Sequence, residues 1–597
     1  MNRFPTAPRP SRPHAGLPVL SALAIALGCA GPAWAIDGGN IAAGTGTLQT
    51  QRNVTTVNQS SDRMVVNWKN FDIARNQTVN FQQPGASAAV LNRVSGSGKA
   101  TEILGSIKAN GRVFVVNPDG VMFGRTAKVD AGALVASALD TNAQEFMAGG
   151  RAYGGNVRPG ATDLPRYVGF DGGNGAVVNE GRLTAREAVV LIGPQASNAG
   201  TIRARSVEMH AGDGVAVRLD GSSFDIVPTR GRADALVENS GAIVAAGGNI
   251  MLSAATKGDL LRDVVRNTGT LEASRAVSGS DGNIELQAPI DGAISIGGQV
   301  RAEGGVKANT TPLIYLGDAP MPTLEYPAAL AATGHDIRIE QGARVKATNA
   351  VSLSTENDIA VNGRIVGGSV WLYGDDVTTQ GTIHGASNVN VDARGSLVQK
   401  GDIVADTAHV SLRAHDIDQA SGVVTRAGDY VSLEAAHEYG GRVRAAKVQG
   451  KYVNITGHDI QLDGNVRAAA NIRVTAVDER VCDEVCTAEV RQGSIVQNAG
   501  VISDSGDVTF TGYSTVKWPT AISRATTGTL TQNAGATTRA AGNVTVDVAR
   551  ASIGNIQAGK SIVVKSKDTT LTGRLVAPEI TLPSNARNTE GNVRIKR

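Results

Sequence analysis

The sequence predicts an all-β fold wound as a solenoid, and three observations predict it. The chain has 72 Gly and only 4% aromatic residues, so its core must come from many small aliphatic side chains. Apolar residues alternate with period two, while the i, i+3, i+4 pattern of an amphipathic helix is almost absent. The alternation is itself repeated about every twenty residues. VVNEGRLTAREAVVLIGP and ASNAGTIRARSVEMHAGD align over their whole length. Asn-x-Gly recurs before a strand at Asn179, Asn198, Asn239, Asn267, Asn498 and Asn533. An acid followed by Ile or Val recurs at Asp336, Asp358, Asp376, Asp416 and Asp459.

A unit of that length holds two or three short strands and forms one coil, hydrogen-bonded to the coils above and below at a spacing of about 4.8 Å. Asn and Gly at the turns are expected to supply left-handed backbone, and stacked Asn side chains can form ladders along the axis. About 25 coils would give a rod roughly 120 Å long. Three stretches interrupt the rhythm and are expected to project as loops. These are 306–333 with Pro312, Pro320, Pro322 and Pro327, 478–493 with Cys482 and Cys486, and 511–528 with Trp518-Pro519; proline disfavours a central strand.

Residues 1–35 read as an export signal. Arg3, Arg9 and Arg12 precede the apolar run from Leu17 to Leu27, and Ala33-Trp34-Ala35 fits a small-x-small cleavage site, placing the cut between Ala35 and Ile36. The apolar run is too short to span a bilayer. Charge is nearly balanced, 57 Lys+Arg against 54 Asp+Glu. No basic stripe interleaves with aromatics, so nucleic acid is not an expected partner.

The segment LNRVSGSGKATEILGSIKANGRVFVVNPDGVMFG begins at Leu91. It follows Val66-Asn67-Trp68-Lys69-Asn70-Phe71-Asp72-Ile73 and Val79-Asn80-Phe81-Gln82-Gln83-Pro84, and precedes AKVDAGALVASALD and the Phe146 of AQEFMAGG. In this order the strings resemble the filamentous-haemagglutinin amino-terminal domain, the secretion domain of two-partner-secretion exoproteins. The resemblance implies a right-handed parallel β-helix with a capped amino-terminal secretion domain, over 36–265, followed by a β-helical shaft over 266–597. It also implies a cognate outer-membrane transporter, a β-barrel with periplasmic POTRA domains. By the same resemblance the secretion motif comprises Asn92, Arg93 and Val94, the turn Asn117, Pro118, Asp119 and Gly120, and Phe123 and Gly124. Asp119 departs from the family's Asn-Pro-Asn-Gly; its side chain is expected to make the same local backbone bond as Asn, so the turn should survive.

Candidate catalytic and ligand sites do not hold together. Gly554 to Ser561 matches the P-loop pattern, but the residues after it read as strand where phosphate binding needs a helix; no nucleotide is expected. Gly374-Asp375-Asp376, Gly457-His458 and Arg594-Ile595-Lys596 resemble elements of β-helical polysaccharide hydrolases, yet lie many coils apart, too far to flank one glycosidic bond. The readings are therefore no enzyme, no cofactor and no metal. Cys482 and Cys486 are most simply a small disulfide loop in an exported chain, with free thiols as the alternative.

The functional reading is an adhesin-like exoprotein of a Gram-negative bacterium. It would reach the surface or medium after Sec export through the periplasm, with a host or neighbouring-cell receptor as a further partner. The alternatives are a carbohydrate-active or toxin-type effector and a structural matrix protein. The strand pattern running to the last residue disfavours a toxin tip.

Overall fold

The computed structural model describes residues 36–152, 166–218, 224, 226–256, 263–274, 282–289, 292–310, 337–435, 441–481, 489–518, 521–588 and 593–595. The expected export signal and the Cys482–Cys486 pair lie outside these residues, as do Asp336 and Lys596.

Each coil contributes three short strands, one to each of three parallel ladders. Arg182–Ala185 lies on the first face, Ala188–Gly193 on the second and Gln195–Asn198 on the third. Their equivalents in the next coil are Thr201–Ala204, Ser206–Ala211 and Leu236–Asn239, all paired in parallel. Within a strand every second residue points inward. Val345 and Ala347 are buried while Arg344 and Lys346 are exposed, the period-two burial of a pleated strand. The fold is thus a parallel β-helix. Its third ladder holds nineteen strands among the described residues, or roughly 90 Å of axis. It is shorter than repeat length alone suggests because several coils carry long excursions.

The amino-terminal end is capped. Asn40–Ala43 pairs antiparallel with Arg63–Trp68, and Gly46–Gln51 antiparallel with Val54–Gln59. A bare end strand would offer unpaired N–H and C=O groups to other chains, and these antiparallel strands cover them.

A second core lies outside the helix. On the second face, Arg112–Val116, Ala133–Ser137 and Ala188–Gly193 are buried on both sides. Their outer side chains, among them Phe114, Val135 and Val190, pack with Phe146, Val168, Phe170 and Val217. The covering layer is the antiparallel sheet of Arg166–Asp171, Gly214–Arg218 and Ile226–Arg230 with the short helix Ala143–Met147. Phe114 meets Phe146 edge-on at 5.2 Å, a favoured aromatic geometry.

One loop expectation is corrected, and two gain detail. Val306–Thr310 is a second-face strand paired on both sides, with Ile284–Ala288 and Ala350–Ser354; the prolines all come later, and residues 311–336 lie outside the described structure. The segment 478–493 begins and ends as an antiparallel strand pair, Glu479–Val481 with Glu489–Arg491. The segment 511–528 is a hairpin in which the rung strand Val508–Trp518 runs on and folds back as Ala521–Thr526. All three interruptions fall between a second-face strand and the next third-face strand, so one corner of the solenoid takes the inserted chain.

The reason for the repeated Gly also changes. Among the described residues the only non-Gly residue with positive φ is Arg52; Gly535 is in the left-handed region, as expected, but Gly181, Gly200, Gly241 and Gly269 are not. These glycines stack directly on one another. A Cβ on Gly200 would lie 2.2 Å from Gly181 O, and one on Gly241 2.1 Å from Gly200 O. Close backbone approach, not turn handedness, excludes a side chain there.

The Asn ladder forms as expected, with four of the six residues in one buried column and the other two bonded to each other, Asn533 Nδ2 donating to Asn498 Oδ1 at 2.6 Å. Asn179 Nδ2 donates to Asn198 Oδ1 at 2.7 Å, Asn198 to Asn239 at 2.8 Å and Asn239 to Asn267 at 2.8 Å, all fully buried. Asn498 and Asn533 are one residue out of this register. The inward position there belongs to Gln497 and Gln532, with Gln532 Nε2 donating to Gln497 Oε1 at 2.7 Å. The Asp markers act between coils: Asp376 Oδ1 accepts the Ser396 N–H at 2.6 Å and Asp416 Oδ1 the Arg442 N–H at 2.8 Å.

Candidate functional site

The motif residues from Asn92 to Gly124 converge on one corner of two successive coils. Ala89–Val94 lies in register with Arg112–Val116, so that Asn92 opposes Val115 and Arg93 opposes Val116. The chain then turns through Asn117–Gly120 into the third-face strand Val121–Phe123.

Asn92 is fully buried. Its Oδ1 accepts the Trp68 indole N–H at 3.0 Å, and its Nδ2 donates to Phe114 O at 3.1 Å. Val94 sits in the core. Arg93 points outward and forks onto Asp140, Nε to Oδ1 at 2.7 Å and Nη2 to Oδ2 at 2.6 Å. That bond raises the already high guanidinium pKa further, against the opposing pull of partial burial. A fork of this kind fixes direction as well as charge. It ties the helix to the outer sheet, because Asp140 pairs there with Asp171. A polar cleft of about 640 Å³ opens beside the pair, lined in part by Asn142, Glu145 and Arg151.

Asn117 is the pivot of the turn. Its carbonyl accepts the Gly120 N–H at 2.9 Å and its Oδ1 the Asp119 N–H at 3.0 Å. Its Nδ2 donates to Lys99 O at 3.0 Å and to Thr101 Oγ1 at 3.1 Å, so the buried amide has partners for both its oxygen and its nitrogen. The local backbone bond expected from Asp119 is made by Asn117 instead. The Asp119 carboxylate is exposed and accepts from Ser97 Oγ at 3.3 Å, which is why Asp is tolerated there. Gly120 has φ +120, a conformation side chains rarely adopt. Pro118 O accepts the N–H groups of Asn174 and Gly175 from the next coil. Phe123 is fully buried, and a Cβ on Gly124 would lie 2.5 Å from Leu104 Cδ2.

Most of the motif therefore faces inward in the folded chain; Arg93, Pro118 and Asp119 are the accessible members. Sequence reasoning gave no role to Asp140 or Thr101, although Asp140 closes the string ALVASALD. A carboxylate at the end of an apolar strand was the signal available.

The remaining sequence candidates separate. Asn555–Ala558 and Ser561–Lys565 are consecutive strands of one coil, so the P-loop string has no helix. His458 Nδ1 bonds Val477 O at 2.9 Å, and Asp376 holds the next coil. Among the described residues no group of three or more His, Cys, Asp or Glu is placed to hold a metal.

Comparison with known proteins shows similarity over part of the chain. The TPS secretion domain matches residues 36–302. Two heme/hemopexin-binding proteins of Haemophilus influenzae are similar. One, from strain Rd, is 30% identical over 255 residues, 42% of this chain. The other is 31% identical over 259 residues, 41% of this chain. The match spans 27% of the length of each relative. Among solved structures, the HMW1 secretion domain from Haemophilus influenzae aligns with 79% of this chain and 100% of its own, at 20% identity and a TM-score of 0.38.

Proposed function

Residues 36–302 are a two-partner-secretion (TPS) domain, and on that premise we propose that this segment is the export address of an adhesin-like exoprotein, read by an outer-membrane transporter with POTRA domains. The observation that carries the reading is the burial of the address. Asn92, Asn117 and Phe123 are fully enclosed, so a partner that reads them must do so before the coil closes. An unfolded, strand-rich segment can add to an exposed sheet edge through backbone hydrogen bonds, with pockets choosing among its side chains. Once outside, the same residues lock the first coils, and each later coil is templated on the one before. The folded segment then no longer presents its address, which makes passage one-way. The shaft beyond residue 302 is the adhesive part.

The test is secretion from a Gram-negative host that co-expresses the paired transporter. Asn117→Ala and Asn92→Ala should lower the secreted fraction while periplasmic precursor accumulates. Arg93→Lys, which keeps the charge, should separate recognition from folding when its secretion is compared with its melting temperature. Undiminished secretion without the transporter would end the proposal.

A further inference from the structure

The exposed aromatic rings of the shaft are not scattered. Trp371 (48% exposed), Tyr373 (40%), Tyr430 (38%) and Tyr452 (36%) all stand on the second face. Their strands fall within five successive coils, through Arg364–Gly374, Ile383–Ala393, His409–Ala414, Tyr430–Ala435 and Tyr452–Gly457. Register places Trp371, Asn390, Ser411, Ser432 and Asn454 in one outward column, in which Ser432 is buried by its neighbours. Tyr430 and Tyr452 are neighbours in the column beside it. Trp371 and Tyr430 are three coils apart, about 14 Å along the axis.

The same face continues into a groove. Over the fifth of these coils and the two that follow, Asn454, Thr456, Arg473, Thr475 and Thr511 floor a cavity of about 540 Å³, walled by the hairpin through Tyr513, Ala525 and Thr526. From Trp371 to this wall the face covers seven coils, roughly 29 Å. Its charges alternate: Asp392, Arg413 and Glu434 succeed one another in one column, and Arg473 and Asp547 both line the groove. A polyanion would meet as many carboxylates as cations and gain no net attraction. What the face offers is flat rings, amides and hydroxyls in rows one coil apart.

The geometry points to an extended neutral glycan as the ligand of this face, lying along the axis with pyranose rings on Trp371, Tyr430 and Tyr452 and hydroxyls on the Asn, Ser and Thr column. Sugars present an apolar C–H face and a rim of hydroxyls, the complement of an aromatic ring flanked by amides. The coil spacing is close to the length of one sugar residue, so each rung can serve one unit. This deepens the adhesive half of the proposed function and rests on it; the export half is independent.

The experiment is affinity electrophoresis of the mature chain, 36–597, through gels containing a β-glucan, xylan, galactomannan or starch, with dextran sulfate as the anionic probe. Retardation by at least one neutral polymer is expected. Trp371→Ala and Tyr452→Ala should each weaken it at least tenfold in apparent Kd, and Lys346→Ala, on the first face, should leave it unchanged. All three residues are exposed, and an unchanged urea transition verifies folding. Retardation by none of the neutral polymers, by dextran sulfate alone, or equally in the aromatic variants overturns the assignment. Attachment of labelled protein to cells separates the two readings. Polymer binding without attachment keeps the groove and removes the adhesive role; attachment without polymer binding does the reverse.

Discussion

The buried Asn ladder permits a prediction with an unusual sign. Replacing Asn198 by Leu removes the acceptor of Asn179 Nδ2 and the donor to Asn239 Oδ1. Asn239 Oδ1 is then orphaned in a dry core and Asn179 Nδ2 keeps only a 3.4 Å bond to Gly181 O; at about 1–3 kcal/mol each, the single substitution should cost about 2–6 kcal/mol. The triple variant Asn198→Leu, Asn239→Leu, Asn267→Leu removes the later donors and acceptors together. Only Asn179 Nδ2 then loses a strong partner, and the expected cost falls to about 1–3 kcal/mol. Leu fits the site, since Leu462 and Leu571 occupy the same column in later coils. The carbonyls of Gly200, Gly241 and Gly269 keep their backbone donors, Ala242, Thr270 and Gln299. Because a solenoid can open locally, hydrogen exchange reads these coils most directly. Native-state hydrogen exchange over residues 176–204 should show protection reduced by about 30-fold or more in the single variant, and by no more than that in the triple. A triple variant destabilised by the sum of three singles would refute the ladder argument.

Other outcomes follow from the same geometry. Gly241→Ala drives a Cβ to 2.1 Å from Gly200 O and should destabilise by more than about 2 kcal/mol, whereas Gly422→Ala, with φ +91 and open space, should lose only about 1–2 kcal/mol of backbone strain; chemical denaturation compares the two. Phe146→Ala should cost about 3–5 kcal/mol and loosen the outer sheet before the helix, seen as early exchange in 166–171 and 214–218. Burial alone would raise the Asp416 and Asp463 carboxyls, but bonds from Arg442 to the first, and from Asn498, Arg444 and Gln461 to the second, hold both below the usual value of 3.8. Their contribution is therefore full above that value and lost as pH falls through the lower folded values. Acid titration of a double Asp→Asn variant should show a shallower stability loss below pH 4 than the parent; an identical loss would contradict it.

Much of this protein was legible in its chain. Period-two alternation, small apolar residues and a repeat of about twenty positions point to a parallel coil, because a unit that short holds only two or three strands and buries their apolar face by stacking on its neighbours. The ordered strings from Val66 to Phe146 carried the resemblance to a secretion domain, which the match over residues 36–302 repeats. Register did not follow from the repeat. Asn498 and Asn533 look like Asn179 and Asn198 in a string, yet one added residue hands the inward position to Gln497 and Gln532, a choice made by what stacks above and below. The glycine repeat was visible, but the cause at Gly200, Gly241 and Gly269, a backbone oxygen about 2 Å from any Cβ, exists only once coils are stacked. The outer sheet and the Arg93–Asp140 fork were hidden for the same reason, since both join residues through space after the chain has left the coil. The gathering of Trp371, Tyr430 and Tyr452 on one face likewise depends on how many residues each coil spends at its corners. Local pattern fixes which residues turn inward along a strand; only stacking fixes which of them meet.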